Sequence, residues 1–73
     1  MGKLSPLSAR KVIQRLERAG FIKIHQRGSH LYLENGNKIV TVPIHGAKDI
    51  PIGTLYNIVI KQAELSIEEF QNL

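Results

Sequence analysis

Seventy-three residues allow one hydrophobic core and one domain spanning 1–73, and a chain of this size buries only about 60% of the surface it exposes when unfolded. Cysteine is absent, which excludes disulfides and thiolate metal sites, and the three histidines lack H-x-x-x-H or H-E-x-x-H spacing, so no metal or other cofactor is expected. Net charge is +4, with ten Lys and Arg against six Asp and Glu, and four of the acids (Asp49, Glu64, Glu68, Glu69) fall in the last twenty-five residues. The first half is thus the more basic; such an excess draws polyanions, nucleic acid foremost, although a plain solvated surface also carries it. Apolar runs fall far short of the ~20 residues that span a bilayer. The segment Met1-Gly2-Lys3-Leu4-Ser5-Pro6 has no apolar signal-peptide region and makes a poor myristoylation context, so a cytoplasmic protein is expected.

In chain order, Ser5-Pro6 reads as a helix start, a side-chain cap followed by a residue whose missing N–H costs nothing at the first position. Ala9, Val12, Ile13, Leu16 and Ala19 recur at helical spacing, with Lys11, Arg15 and Arg18 on the opposite side, and Gly20 stands where a left-handed residue would end the helix. Phe21 to Gln26 and Ser29 to Glu34 alternate like strands; Asn35-Gly36 is a strong hairpin signal, and Asn37 to Val42 is a β-branched third strand closed by Pro43. After a polar loop, Asp49 and Pro51 mark a second helix start. Leu55, Ile58, Val59 and Gln62 share one face there, and Tyr56, Ile60 and Ala63 widen it into a broad arc best read as core, opposite Asn57 and Lys61. Ser66-Ile67-Glu68-Glu69 is a capping box for a short last helix. The expected architecture is α+β, an α-β-β-β-α order with a three-stranded antiparallel sheet and both helices on one face, as in double-stranded-RNA-binding-like folds.

Counting outward from Asn35 and Gly36 as the turn sets Leu31 opposite Val40 toward the helices, and Tyr32 opposite Ile39 and His30 opposite Thr41 on the other face. A similar turn at Arg27-Gly28 sets His25 opposite His30 and Lys23 opposite Tyr32; a three-residue loop with a bulge at Gly28 shifts His25 instead. The open face then carries Lys23, His25, His30, Tyr32 and Thr41. That set suits RNA cleavage in which the ribose 2′-hydroxyl attacks its own phosphate. The reaction needs a base for that proton, an acid for the leaving 5′-oxygen and donors for the developing charge. Imidazole serves either proton-transfer role near neutrality. A Lys and Arg27 could hold the phosphate, and Tyr32 could stack on an unpaired base. Surface histidines with no chemistry would give the same pattern.

Five segments in register carry a resemblance: Leu16-Glu17-Arg18-Ala19-Gly20-Phe21, Gly28-Ser29-His30, Val40-Thr41-Val42-Pro43-Ile44-His45, Ile52-Gly53-Thr54-Leu55 and Leu65-Ser66-Ile67-Glu68-Glu69-Phe70. Together they resemble the HicA (YcfA-like) family of toxin–antitoxin modules over nearly the whole chain. The resemblance implies a toxin that cleaves mRNA and is neutralised by a HicB-type antitoxin bound over the active site, with the histidine of Gly-Ser-His, His30, as the essential residue. Gly28 would free the backbone for a phosphate to approach, while Ser29 alternates inward. His45 also matches the family pattern, as a second proton donor, a phosphate contact or part of the loop structure; His25 is outside the motif. Gly53-Thr54 offers free first-turn N–H groups to a phosphate or else marks close packing. One departure is visible: where the family usually has glycine before the last Leu-Ser, this chain has Glu64, so the second helix is expected to end differently.

The leading expectation is a metal-free endoribonuclease with His30 as general acid or base and Lys23, Arg27, Gly28, Ser29, Tyr32 and Lys38 binding RNA, His25 and His45 being auxiliary. The alternatives are a non-catalytic RNA-binding module using Lys11, Arg15 and Arg18, and an interaction protein whose basic surface meets an acidic partner.

Overall fold

A computed structural model describes residues 3–46 and 48–73; Met1 and Gly2, the place of the myristoylation reading, and Ala47 lie outside the described residues. The first helix, α1 (Ala9–Arg18), begins three residues later than Ser5-Pro6 predicts. Leu7–Ser8 forms a short strand, β1, paired antiparallel with β5 (Asp49–Ile50), through Leu7 opposite Ile50 and Ser8 opposite Asp49. That pairing holds the chain extended up to Ser8, whose hydroxyl accepts the Lys11 N–H at 3.3 Å and becomes the cap in place of Ser5. The helix ends as the sequence predicts. Gly20 has φ +102°, its N–H donates to the Glu17 carbonyl at 3.0 Å, and Phe21 N–H reaches the Leu16 carbonyl at 2.9 Å. These two bonds make a Schellman motif, and the buried side chains of Phe21 and Leu16 are its apolar pair.

Three strands follow, β2 (Ile22–Arg27), β3 (His30–Asn35) and β4 (Lys38–Pro43), as an antiparallel meander with β3 in the centre. Leu31, Leu33, Val40 and Val42 point inward and join Val12, Leu16, Leu55, Ile58, Val59 and Phe70 in one core. Both helical segments therefore cover one face of the sheet, and the dsRBD-like α+β architecture expected from the sequence is the one observed. Every residue of β2, an edge strand of this sheet, is exposed.

The second helix also starts later than Asp49, since Asp49 and Ile50 are spent on β5. It runs as α2 (Ile52–Tyr56) and then widens into a π-helical stretch (Asn57–Gln62), with the Ala63 N–H reaching back to the Ile58 carbonyl at 2.9 Å. Ile58, Val59 and Ala63 are buried, so most of the broad apolar arc is core, while Tyr56 is left exposed. Gln62 is half-buried, and its side-chain oxygen accepts the Thr41 N–H of β4 at 2.7 Å. Glu64, the departure from the family pattern, ends this helix at φ +57°. The last helix, α3 (Ile67–Gln71), has the predicted capping box. Glu69 N–H donates to the Ser66 hydroxyl at 3.0 Å, and Ser66 N–H donates to the Glu69 carboxylate at 2.9 Å. Arg15 departs from its predicted solvent side and lies over the Phe70 ring, 5.1 Å from its centroid, which joins α1 to α3. Among the described residues, no helix is long and apolar enough to cross a membrane.

Candidate active site

The second hairpin turns on Gly36 and Asn37, one residue later than the Asn35-Gly36 expected, with Asn35 opposite Lys38 and Gly36 at φ +63°. Glycine takes the positive φ that the turn demands of its first central residue, and Asn37 does not have to adopt one. The slip moves every cross-strand pair by two positions. Leu31 faces Val42, Tyr32 faces Thr41, and His30 faces Pro43 in place of Thr41. Since side chains alternate with period two, no residue changes face, and His30, Tyr32 and Thr41 stay on the side away from the helices.

The first hairpin differs more. Its central residues are Gly28 and Ser29, Gly28 at φ +58°, so Arg27 is the residue opposite His30. His25 pairs with Tyr32, their ring centroids 5.8 Å apart and tilted by 35°, and stands diagonal to His30. The expected His25–His30 pair is thereby replaced by an Arg27–His30 pair. Further along β2 a bulge between Lys23 and His25 reverses the alternation, leaving Lys23 opposite the inward-facing Leu33. The Lys23 ammonium then lies 3.9 Å from the Glu17 carboxylate of α1. Lys23 is therefore on the helix side, not on the open face where the sequence reading put it. Lys38 is also on the helix side, at the far end of the hairpin, 4.0 Å from Glu64.

The open face thus gathers Arg27 and His30 at one end, His25 and Tyr32 beside them, and an apolar end. There Ile22 and Ile39 flank Glu34, which pairs with both, and are 68% and 52% exposed. Arg27, His25 and His30 are all solvent-accessible. A methyl group added at Gly28 would meet nothing within 4 Å, so the backbone of the turn is open to a ligand. The turn is held from behind, because the Ser29 carbonyl accepts the Ile44 N–H at 2.6 Å. That bond ties the Gly-Ser-His segment to the Pro-x-His segment, and His45 follows directly after it, exposed and in the wall of a cleft with Pro43. Sequence reasoning had found Arg27 but not its place opposite His30; only the turn position, one residue from the one assumed, decides that.

Residues 9–65 match the family model described as "HicA toxin of bacterial toxin-antitoxin". No curated protein matches the chain.

Proposed function

The chain belongs to the HicA toxin family, and from that premise we propose that it is an endoribonuclease that cleaves mRNA without a metal, with His30 transferring a proton at the scissile phosphate. The observation that carries the reading is the pairing of Arg27 with His30 across the open turn at Gly28. A cation and an imidazole then face solvent side by side, next to backbone that a phosphate can approach. The ribose 2′-oxygen attacks phosphorus and gives up its proton, the bond from phosphorus to the 5′-oxygen breaks, and that oxygen takes a proton. The products are a 2′,3′-cyclic phosphate and a 5′-hydroxyl. His30 fills one of the two proton-transfer positions, and Arg27 balances the charge that builds on the phosphoryl oxygens. Tyr32, with His25 against it, offers an aromatic surface on which an unpaired base can stack.

The partner implied by the family is a HicB-type antitoxin. The exposed isoleucines Ile22 and Ile39, on the same face as His30, supply apolar surface for a protein that covers the site.

The test is cleavage of a long single-stranded RNA by the purified chain in excess EDTA, with His30→Ala alongside. Wild type should cut and leave 2′,3′-cyclic phosphate ends while the variant binds but does not cut. If neither cuts and both bind, the chain is a non-catalytic RNA-binding module.

A further inference from the structure

A cleft of about 390 Å³ opens where β4, the loop after it, β5 and the first turn of α2 meet. Pro43 and Pro51 give it apolar walls, and His45, Lys48, Asp49 and Thr54 bring an imidazole, an ammonium, a carboxylate and a hydroxyl to its lining. Its volume is in the range of small-ligand sites, as is the mix of apolar wall with a few polar groups. The elements around it fix its shape. Asp49 is held by the pairing of β5 with β1, Lys48 N–H donates to the His45 carbonyl at 3.3 Å, and Thr54 stands in the first turn of α2. Among the described residues, the side chains of His45, Lys48, Asp49 and Thr54 make no hydrogen bond or ion pair to one another or to the rest of the chain.

Pro43 links this cleft to the site above, because it is the cross-strand partner of His30. Paired residues in an antiparallel ladder have Cα atoms only ~5 Å apart, so the cleft begins one pair away from the imidazole. We infer that it is a nucleotide-binding subsite, which holds the base of the RNA nucleotide next to the scissile phosphate. The inference rests on the ribonuclease reading for the identity of that phosphate, and on the cleft alone for the nucleotide. A bare anion is a poor fit, since the Asp49 carboxylate would repel it. A nucleotide answers both signs at once. The flat base lies against the proline rings, its edge N–H groups donate to Asp49, Thr54 bonds a base-edge donor or acceptor, and Lys48 meets the attached phosphate. The carboxylate favours bases that present amino groups, so the cleft is also a source of sequence preference at that position.

The experiment uses the chain carrying His30→Ala, which spares the RNA, and a 2′-O-methylated hexaribonucleotide of mixed sequence in excess EDTA, followed through amide resonances. The resonances of Lys48, Asp49 and Thr54 should shift saturably with the oligonucleotide. Asp49 and Thr54 should not respond to inorganic phosphate, and an abasic analogue, which keeps the phosphate, should shift Arg27 and Lys48 but neither Asp49 nor Thr54. Asp49→Asn and Thr54→Val should each weaken binding about fivefold, the net worth of one hydrogen bond. In the otherwise wild-type chain both should raise KM with kcat nearly kept. Equal responses of Asp49 and Thr54 to inorganic phosphate or to the abasic analogue would overturn the inference, as would a shift at Arg27 with none at Asp49 or Thr54. If wild type cuts RNA and both substitutions leave KM unchanged, the subsite falls and the ribonuclease reading stands. If wild type does not cut but the cleft responds to bases alone, the nucleotide site stands and the reaction falls.

Discussion

Glu64 sits in the left-handed region at φ +57°, after Ala63 at the end of the π-helical stretch, where Leu65 N–H reaches the Val59 carbonyl at 2.9 Å to close the helix end. A residue with a Cβ pays about 1–2 kcal/mol for that conformation, and glycine does not. Glycine in turn gives the unfolded chain more freedom, which takes back about 0.5–1 kcal/mol. Glu64 also lies 4.0 Å from the Lys38 ammonium, but its side chain is 65% exposed, and pairs of that kind contribute only about 0–1 kcal/mol. Comparing Glu64→Gly with Glu64→Ala removes the ion pair from both, leaving only the backbone difference. Glu64→Gly should therefore be the more stable of the two by about 0.5–1 kcal/mol. For a chain of this size that is a Tm difference of about 2–8 °C, read by circular dichroism at pH 7. Equal melting temperatures, or a higher one for Glu64→Ala, would refute the claim that the backbone at this position is strained. Glu64→Gly against wild type also carries the loss of the pair to Lys38, and repeating that comparison in 1 M salt, where exposed pairs are screened, should widen the advantage of glycine.

Gly20→Ala should destabilise more than Gly28→Ala, because at Gly20 the new Cβ would lie 3.2 Å from the Asn35 side chain as well as at φ +102°, whereas at Gly28 it meets nothing; urea melts of the two variants decide it. Leu33→Ala should cost about 2–5 kcal/mol, a large share of the ~4–11 kcal/mol available to a domain of this length, since Leu33 is fully buried in the central strand; the urea midpoint should fall accordingly. The Glu69 carboxyl is held below the usual carboxylate range by the Ser66 backbone N–H first and the Ser66 side chain second. The folded state thus releases that proton more readily than the unfolded one. The stabilisation from the ionised Glu69 carboxylate is complete above the ordinary Glu value of about 4.3 and is lost as pH falls through the lower folded value. Glu69→Gln should flatten the acid limb of a Tm-against-pH curve and leave its slope above pH 6 unchanged.

The elements that local physics dictates were legible. Gly20 after the stripe of α1 and the Ser66–Glu69 box act through neighbours a few residues away, and each forms as its sequence signature requires. Both helix starts were misread for one shared reason. Leu7–Ser8 and Asp49–Ile50 are two-residue strands far apart in the chain, and each is held extended by the other. Nothing in either segment alone marks that pairing, so local signals place the helix starts at Ser5 and at Asp49, and a distant partner overrides both. The π-helical widening is similar in kind, since it aligns Gln62 with Thr41 of β4.

The candidate site shows which errors of register matter. Moving the second turn by one residue displaces the pairing by two, and a shift of two leaves every side chain on its own face, so His30, Tyr32 and Thr41 were placed correctly from a wrong register. Moving the first turn by one residue likewise kept His25 on the open face, but it brought Arg27 out of the turn into the ladder and exchanged the partner of His30 from an imidazole to a guanidinium. A bulge is different, because it adds one residue to one strand and reverses the alternation beyond it. Between Lys23 and His25 it sends the lysine to the helix side beside Glu17. Ile24 within it is 48% exposed, so no buried contact in the sequence pattern betrays the reversal. An edge strand exposed on both faces has no hydrophobic alternation to keep it in register, so sequence could assign a face to the residues of β3 and β4 but not to those of β2. The same reasoning predicts that deleting Ile24 would restore strict alternation with Lys23 still opposite Leu33, on the helix side beside Glu17. A coupling between Lys23 and Glu17 in a double-mutant cycle that is the same with and without Ile24 would bear this out. Loss of that coupling in the deletion would refute it.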